Sequence, residues 1–338
     1  MDNRDNIKKI KDLITKSKKI LVLMSQPDGD SIGSGIVLRR YLESLYKIAD
    51  LYSNKKVDER FNFLSFTDEI KSANIVKLDL SEYDLIMTVD TGNLSQVYSA
   101  EKYPDFHFPP NIPIIAIDHH ASNQQYAKYS IYDEGASSTG ELLYEFLKSE
   151  NYIPSIEEAE LLYYAIASDT GFFKWQITPK TLRLASDLLE IGVDFQKLMD
   201  QYFDNTIEKQ VPYLLEFIKK TVFHKRPRYI LLYISKSMMR KLKINNEDLK
   251  TVRDMYRNNF QTTFKDYSIF IIASEQQDFT ILSIRGNPYS NKLDLFRLRE
   301  FGDFNGGGHK NACSFLTHQT KSDIIKSLNK GINSLKVK

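Results

Sequence analysis

Residues 20–30 have the sequence ILVLMSQPDGD, an apolar run that ends in a turn carrying two aspartates. An apolar run of this kind is typical of a strand that is covered on both faces, as in a parallel sheet. The stretch that follows, Ser31 to Leu45, has apolar side chains at helical spacing. We therefore expect a strand, a turn and a helix, with Asp28 and Asp30 near the positive end of that helix.

The rest of the first half repeats this alternation. Residues 5–17 have helical apolar spacing, and three further apolar runs predict strands. These runs are Ile48–Tyr52, Tyr83–Val89 and Ile112–Ile117. Alternating strands and helices predict an α/β fold, here a doubly wound and largely parallel sheet.

From residue 136 onward the pattern changes twice. It is first helical, over Ser137–Lys148, Ile156–Ser168, Pro179–Ile191 and Ile207–Lys220. Helices near 246–259, 292–300 and 321–334 and a glycine-rich loop at 305–309 then accompany three predicted strands, Tyr229–Ile234, Tyr267–Ala273 and Phe279–Ile284. We expect a catalytic parallel-sheet domain over residues 1–195, a helical linker over 196–222 and a smaller mixed-sheet α/β domain over 223–338.

Composition limits the function classes. The chain has 338 residues with 46 Lys and Arg against 44 Asp and Glu, a net charge of +2. That balance favours a small anionic substrate over a long duplex nucleic acid. One cysteine cannot form an internal disulfide, and no apolar run approaches the roughly 18 residues that span a bilayer. We expect a cytoplasmic protein that does not enter the membrane.

Four short segments place acidic or imidazole side chains after apolar runs. They are Pro27–Asp30, Met87–Asp90, Asp118–His120 and Ser168–Gly171. The first three follow predicted strands, and the carboxyl ends of parallel strands meet at one edge of a sheet. Carboxylates and imidazoles gathered there would repel or desolvate one another unless a cation lay among them. The sequence therefore predicts one or two metal ions at this edge and the hydrolysis of a phosphate ester.

Each segment has a simpler explanation when it is taken alone. Asp28 and Asp30 could cap a helix, and Asp90 and Asp169 could each close a turn. A histidine pair at a strand end could be satisfied by its neighbours. The equivalent position of three of the segments at strand ends is what favours a metal.

In this order the four segments resemble the motifs of the DHH phosphoesterases. They have the sequences PDGDS at 27–31, VDTG at 89–92, IDHH at 117–120 and SDTG at 168–171. TPKTLR at 178–183, SIRG at 283–286 and GGGH at 306–309 extend the resemblance over nearly the whole chain. With two domains of this size, the chain is most similar to the nanoRNase group. That group comprises exonucleases of short oligonucleotides that often also dephosphorylate 3′-phosphoadenosine 5′-phosphate (pAp).

The resemblance implies a set of metal ligands. Asp90 would bridge two ions and Asp28 would bind one of them; the other would be bound by Asp30, His119 and Asp169. Ions of the Mn²⁺ class suit mixed carboxylate and imidazole ligands, with Mg²⁺ as an alternative. Two such ions would hold an attacking hydroxide.

The resemblance also implies two residues beside the ions. Asp118 would orient His119, and His120 would face the phosphate or the leaving group. The implied catalytic residues are Asp90, Asp118 and His120.

One position departs from the family pattern. A histidine usually lies three residues before the proline of the first motif, and here that residue is Met24. A thioether is a poor ligand for a hard ion, so the first ion would keep Asp28 and Asp90 with water or Gln26. We predict that this ion is bound weakly and that Met24→His raises the Mn²⁺ affinity.

The second domain is predicted to bind the substrate. Three consecutive glycines let the backbone present its N–H groups to an anion, and Arg285 and His309 add charge-assisted hydrogen bonds to phosphate. The predicted substrate-binding residues are His120, Arg285, Gly306, Gly307, Gly308 and His309. A cleft between two domains would admit only a few nucleotides. Phe172, Phe173 and Trp175 could stack a base or line the core.

The leading hypothesis is a metal-dependent phosphodiesterase that cleaves very short RNA to mononucleotides, with pAp as a further substrate. A phosphodiesterase of cyclic or linear dinucleotides is the alternative within the fold. A non-catalytic nucleotide-binding protein is the alternative of another class, because Met24 removes a ligand. Relatives commonly form homodimers, which makes a second copy of the chain an expected partner.

Overall fold

The computed structural model describes residues 3–98, 102–120, 123–204, 208–260, 263–264, 266–287 and 291–336. The chain divides into two compact units, Met1–Asn205 and Thr206–Lys338. This division lies within the segment 196–222 that we predicted as a linker. Among the described residues, no helix combines the length and the apolar character that crossing a bilayer requires.

The first unit is built on a six-stranded sheet. Its strands are β1 (Lys19–Met24), β2 (Ile48–Ser53), β3 (Lys71–Ser72), β4 (Leu85–Val89), β5 (Ile114–Asp118) and β6 (Tyr129–Tyr132). The spatial order is β3-β2-β1-β4-β5-β6, and every neighbouring pair is parallel. The chain order reverses direction between β1 and β4, and such a switch point leaves a crevice at the carboxyl ends of the strands. The predicted α/β class with a parallel sheet is confirmed.

Helices cover one face of this sheet. The helices among the described residues of this unit are α1 (Asn3–Lys16), α2 (Gly29–Ser44), α3 (Thr139–Ser149), α4 (Ile156–Asp169), α5 (Pro179–Ile191) and α6 (Phe195–Asp204). Ile20 and Val22 of β1 share a core with Ile32 and Ile36 of α2. Leu21 and its neighbours on the opposite face belong to a second core, which short 3₁₀ turns cover. Because successive side chains of a strand point to opposite faces, a strand covered on both faces is apolar on both, as β1 is from Ile20 to Met24.

Local capping explains where the helices begin. Helix α2, predicted from Ser31, begins at Gly29 because Asp28 is its N-cap and accepts a hydrogen bond from the Ser31 amide. Asp30 therefore lies inside the first helical turn. Helix α5 begins at Pro179 as predicted, with Thr178 as its N-cap.

The second unit has a mixed sheet. Its strands are β7 (Val222–Lys225), β8 (Arg228–Ile234), β9 (Ile269–Glu275), β10 (Thr280–Gly286), β11 (Asn305–His309) and β12 (Ala312–Thr317), in the order β11-β12-β10-β9-β8-β7. Only β8 and β9 pair in parallel among these described strands. The helices are α7 (Val211–Lys220), α8 (Lys236–Leu242), α9 (Asn246–Phe260) and α10 (Lys321–Lys336). Separate cores lie on the two faces, and the predicted mixed sheet is confirmed.

Two predictions for this unit were wrong. Residues 305–309 form strand β11, paired with β12, and are not a loop. The glycines serve this pairing, because a Cβ at Gly306 would lie 2.1 Å from the carbonyl oxygen of Ser314. The helix predicted over 292–300 is a 3₁₀ helix at Leu295–Phe301.

Candidate metal centre

The acidic side chains converge at the switch point of the first sheet. Asp28 and Asp30 follow β1, Asp90 follows β4, and Asp118 ends β5. Asp169 arrives from elsewhere, as the last residue of α4. The edge of a parallel sheet therefore collects side chains that are as far apart in sequence as residues 28 and 169.

His119 lies at the centre of this cluster. Its Nε2 atom is 3.2 Å from Oδ2 of Asp169, 3.8 Å from Oδ2 of Asp30 and 3.8 Å from Oδ1 of Asp90. The side chain is 10% exposed, and Nε2 is buried without a hydrogen-bond partner. Such an atom is costly unless something binds it. The other ring nitrogen, Nδ1, lies 3.3 Å from the carbonyl oxygen of Ala136.

Asp30 is fully buried and hydrogen-bonded on both oxygens. The amide of Thr139 donates to Oδ2 at 2.6 Å, and the amide of Gly140 donates to Oδ1 at 2.8 Å. The hydroxyl of Ser34 also donates to Oδ1, at 3.1 Å. The two amides belong to the first turn of α3, whose N–H groups have no partner within their own helix. Asp30 therefore ties α2 to the positive end of α3.

Asp90 is held in an unusual backbone conformation. Its φ angle is +51°, in the left-handed region that aspartate adopts more readily than most residues. Its amide donates to the carbonyl oxygen of Ile117 at 3.0 Å. The hydroxyl of Thr139 donates to its Oδ1 at 3.2 Å. These bonds direct the carboxylate toward His119.

Asp118 contacts the other histidine, not the one we expected. Its Oδ1 lies 2.7 Å from Nδ1 of His120, and Nδ2 of Asn123 donates to its Oδ2 at 2.5 Å. His119 is instead supported by the carbonyl of Ala136. The role of Asp118 in orienting His119 is therefore corrected: the pairing holds His120, whose side chain is 38% exposed and 3.5 Å from Asp90.

Asp28 lies at the margin of the cluster. Its carboxylate accepts the Ser31 amide at 3.1 Å, in the capping box of α2. Two groups of described side chains have ligand atoms close enough to hold an ion, and neither includes Asp28; they are Asp90 with His119 and His120, and Asp30 with His119 and Asp169. Met24 is 1% exposed in the core, and its Cε is 2.7 Å from the position of a Cβ at Gly35.

The electrostatics of the cluster favour a bound cation. Burial and the charge of Asp169 raise the pKa of Asp28, and raise that of Asp30 to about 7. Burial and the neighbouring aspartates raise the pKa of Asp90 well above its ordinary value. Burial alone would lower the pKa of His119, but the carboxylates of Asp169 and Asp30 outweigh it and raise this pKa to about 9. Without a cation, protons must neutralise the cluster.

The donor set fits a divalent ion. Three carboxylates and one imidazole nitrogen without a hydrogen-bond partner are ligands that an ion of the Mn²⁺ class prefers. A neutral imidazole is needed for this, and an ion would displace the proton that the surrounding carboxylates now favour.

Comparison with known proteins identifies the family of the first unit. Residues 19–166 match the DHH family, N-terminal domain. These residues are a DHH domain. The matched range includes β1 to β6 and every cluster residue except Asp169.

Two curated relatives match a little more than half of the chain. The chain is 27% identical over 186 residues to the "Bifunctional oligoribonuclease and PAP phosphatase NrnA" of Bacillus subtilis. The match covers 54% of this chain and 56% of that protein. The chain is also 29% identical over 194 residues to the "Probable bifunctional oligoribonuclease and PAP phosphatase NrnA" of Streptococcus mutans. This match covers 56% of this chain and 59% of that protein. The matched part of the chain thus spans less than three fifths of these relatives.

A solved structure matches more of the chain. It is an exopolyphosphatase-related protein from Bacteroides fragilis, with a TM-score of 0.86 and 22% identity over 98% of this chain and 96% of that one. At this identity the likeness shows the fold alone.

The structure adds residues around the DHH domain cluster that the sequence motifs did not reveal. Thr139, Gly140 and Ser34 bind the aspartates, and Asn123 binds Asp118. Ser138 is the N-cap of α3, which a Ser-Thr pair before a helical pattern signals. That signal locates the helix start, but it does not show which carboxylate the start will meet.

The predicted substrate-binding residues of the second unit lie on two strands of its sheet. Arg285 is on β10, and its Nη1 donates to the carbonyl oxygens of Ile284 at 3.0 Å and Cys313 at 3.2 Å. Residues 306–309 are on β11, two strands away across β12. The side chain of His309 lies outside the described part of the chain.

Proposed function

We propose that the chain is a metal-dependent phosphoesterase that hydrolyses very short RNA oligonucleotides to mononucleotides and pAp to AMP. The observation that carries this proposal is the buried Nε2 of His119, which lies within 3.8 Å of three carboxylates. The names of the two curated relatives support the substrate class.

Asp30, Asp90, His119 and Asp169 would hold the metal, as two ions of the Mn²⁺ class with Asp90 shared between them. When bound, such ions lower the pKa of a water molecule and neutralise charge that develops on the phosphate. Thr139 keeps Asp90 and Asp30 in place through its hydroxyl and its amide. The buried setting strengthens each of these charge interactions.

His120 would serve the leaving group. Its side chain is 38% exposed, and Asp118 fixes its Nδ1 so that Nε2 is the nitrogen available to substrate. Burial opposes its protonation, but the hydrogen bond with Asp118 raises the pKa of His120. A protonated ring can donate to the oxygen that departs from phosphorus.

Arg285 and residues 306–309 would bind the substrate phosphate or sugar. Two backbone carbonyls orient the guanidinium of Arg285, and nothing lies within 4 Å of the position of a Cβ at Gly307. An open glycine strand allows another backbone or a ligand to approach closely.

The test is a substrate panel of pAp, RNA dinucleotides, a cyclic dinucleotide and longer RNA, with Mn²⁺ or Mg²⁺. We expect release of mononucleotides from dinucleotides and of phosphate from pAp. The rate of hydrolysis should decline as the RNA becomes longer. Asp90→Asn should abolish turnover because it removes the shared charge. Asp50→Asn is the matched control. Asp50 lies on β2, where its carboxylate accepts hydrogen bonds from Lys71 and Tyr83, away from the cluster. If only the cyclic dinucleotide is hydrolysed, the proposed substrates are wrong and the chain is a cyclic dinucleotide phosphodiesterase.

The buried Met24 favours a second candidate, a nucleotide-binding protein that no longer turns its ligand over. Tight binding of pAp without product in the presence of Mn²⁺ would support that candidate and contradict the first.

A further inference from the structure

The turn that follows Asp169 has a rare backbone conformation. Gly171, Phe172 and Phe173 have φ angles of +57°, +57° and +62°. Three successive left-handed residues, two of them with bulky side chains, are strained because Cβ crowds the following carbonyl oxygen. Strain of this kind persists only where surrounding contacts impose it, and it is concentrated at functional sites.

Contacts with α4 impose this turn. The hydroxyl of Thr170 donates to the carbonyl oxygen of Ile166 at 2.7 Å and accepts the amide of Phe173 at 3.0 Å. The ring of Phe172 is 6.3 Å from that of Tyr164, and the ring of Phe173 is 5.7 Å from that of Tyr163. The aromatic residues therefore fasten the turn to the helix that ends in Asp169.

Trp175 closes the turn from the other side. Its indole Nε1 donates to the main-chain carbonyl oxygen of Asp169 at 3.0 Å. The indole ring lies against Gly171, where a Cβ would be 2.2 Å from the ring. Only glycine allows this approach, so Gly171 and Trp175 form a matched pair. The carbonyl that the indole holds belongs to the residue whose carboxylate is 3.2 Å from His119.

We propose that Trp175 is a positioning residue of the metal centre. Its indole N–H fixes the main chain of Asp169, and the left-handed turn that it closes directs the Asp169 carboxylate toward His119. This inference rests on the proposed function, because it takes Asp169 as a metal ligand. In this proposal Trp175 supports Asp169 and contacts neither the metal nor the substrate.

The chain contains a single tryptophan, so tryptophan emission, excited selectively over the tyrosines, reports on the surroundings of Trp175 alone. The first measurement titrates the whole protein with Mn²⁺ and follows free Mn²⁺ by electron paramagnetic resonance. The second follows tryptophan emission in the same titration. Because paramagnetic quenching acts at short range, we expect the emission to fall with the midpoint of Mn²⁺ binding.

Trp175→Phe keeps an aromatic ring and removes the N–H. We expect it to weaken Mn²⁺ binding about tenfold, as loss of support for a metal ligand typically does. Tyr83→Phe is the matched control, since it removes one aromatic hydrogen bond to Asp50, away from the cluster, and should leave the Mn²⁺ affinity unchanged.

The two proposals fail differently. If the wild type binds Mn²⁺ but its emission does not respond, or if Trp175→Phe binds Mn²⁺ as tightly as the wild type, the positioning role is wrong and the metal centre stands. If the wild type binds no Mn²⁺, the metal centre itself is wrong and the positioning role falls with it. If Trp175→Phe does not fold, an unresponsive emission of the wild type in the Mn²⁺ titration still overturns the positioning role.

Discussion

At the scale of single residues, Thr139 connects two of the acidic side chains. Its amide donates to Asp30 and its hydroxyl donates to Asp90. Asp90 also has a positive φ angle, so it depends on its partners for a defined position. Thr139 is fully buried and has no carboxylate or imidazole of its own. It therefore supports the cluster without being a candidate ligand.

Thr139→Val separates these two donations. Valine keeps the shape and the amide but loses the hydroxyl, so Asp90 loses a hydrogen bond. We expect Mn²⁺ affinity to fall about tenfold and stability to fall by about 1 kcal/mol, measured by metal titration and denaturant unfolding. Thr181→Val is the control, because Thr181 donates to Glu141 and not to the cluster. Equal losses of Mn²⁺ affinity in both variants would refute a specific role.

Met24→His is predicted to raise Mn²⁺ affinity by adding a nitrogen ligand near Asp28. The structure adds a cost, because Met24 packs with Leu51 and Val89 in the apolar core. Burying an imidazole there without a metal should cost about 2 kcal/mol. We expect the histidine variant to be less stable than the wild type in chelator and to recover in Mn²⁺. Met24→Leu should stay within about 1.5 kcal/mol in both conditions. An unchanged Mn²⁺ titration would count against the prediction.

At the scale of elements, the packing of α2 on α4 fixes the cluster. Asp28 and Asp30 begin α2, and Asp169 ends α4. Gly33 lets the two helices approach closely, since a Cβ there would lie 2.4 Å from the carbonyl oxygen of Leu161. The guanidinium of Arg40 on α2 also donates to Glu158 on α4 at 3.0 Å. The distance between these helices therefore sets the distance between their aspartates.

Gly33→Ala tests this contact. Alanine is about 1 kcal/mol better than glycine in a helix interior, but the atom that it would meet is backbone and cannot move alone. We expect the cost of overpacking to exceed the gain in helix propensity, so that the variant loses about 2 kcal/mol of stability in urea unfolding. Gly307→Ala, where the added Cβ meets nothing within 4 Å, should change stability by less than about 0.5 kcal/mol. A Gly33→Ala variant as stable as the wild type would show that the helices are not in tight contact.

At the scale of the whole molecule, the cluster links stability to pH and to metal. The pKa of His119 is raised from 6.5 to about 9 by folding, so its stabilising effect is full below pH 6.5 and is lost as pH rises through 9. The pKa of Asp30 is raised from 3.8 to about 7. The folded chain thus binds its proton more tightly, and stability falls as pH rises from 3.8 through 7. Both groups act in the same direction.

We therefore expect these groups to make the chelator-treated protein lose stability between about pH 4 and pH 9. Saturating Mn²⁺ should reverse this trend, because deprotonated carboxylates and neutral imidazole bind the ion more tightly. Denaturant unfolding at several pH values, with chelator or with Mn²⁺, measures both slopes. Identical slopes in the two conditions would mean that the cluster does not bind the ion.

The sequence predicted most of the elements and the members of the cluster. Strand β1 ends where its apolar run does and begins one residue before it, and α5 has the bounds that its cap and its proline indicate. Burial on both faces and capping are local properties, so they leave a local pattern. The convergence of Asp30, Asp90 and His119 follows from one general rule about the carboxyl ends of parallel strands.

The sequence alone determined the parallel α/β sheet and the acidic residues at the carboxyl ends of its strands, because apolar periodicity and turn chemistry are local properties of the sequence. Only the tertiary structure decided which groups touch. The Thr139 amide that binds Asp30 is 109 residues away from it in the chain, and Asp118 pairs with His120 instead of His119. Strand β11 likewise exists because β12 offers it a partner. Such contacts depend on how separate elements pack, and no local pattern records that packing.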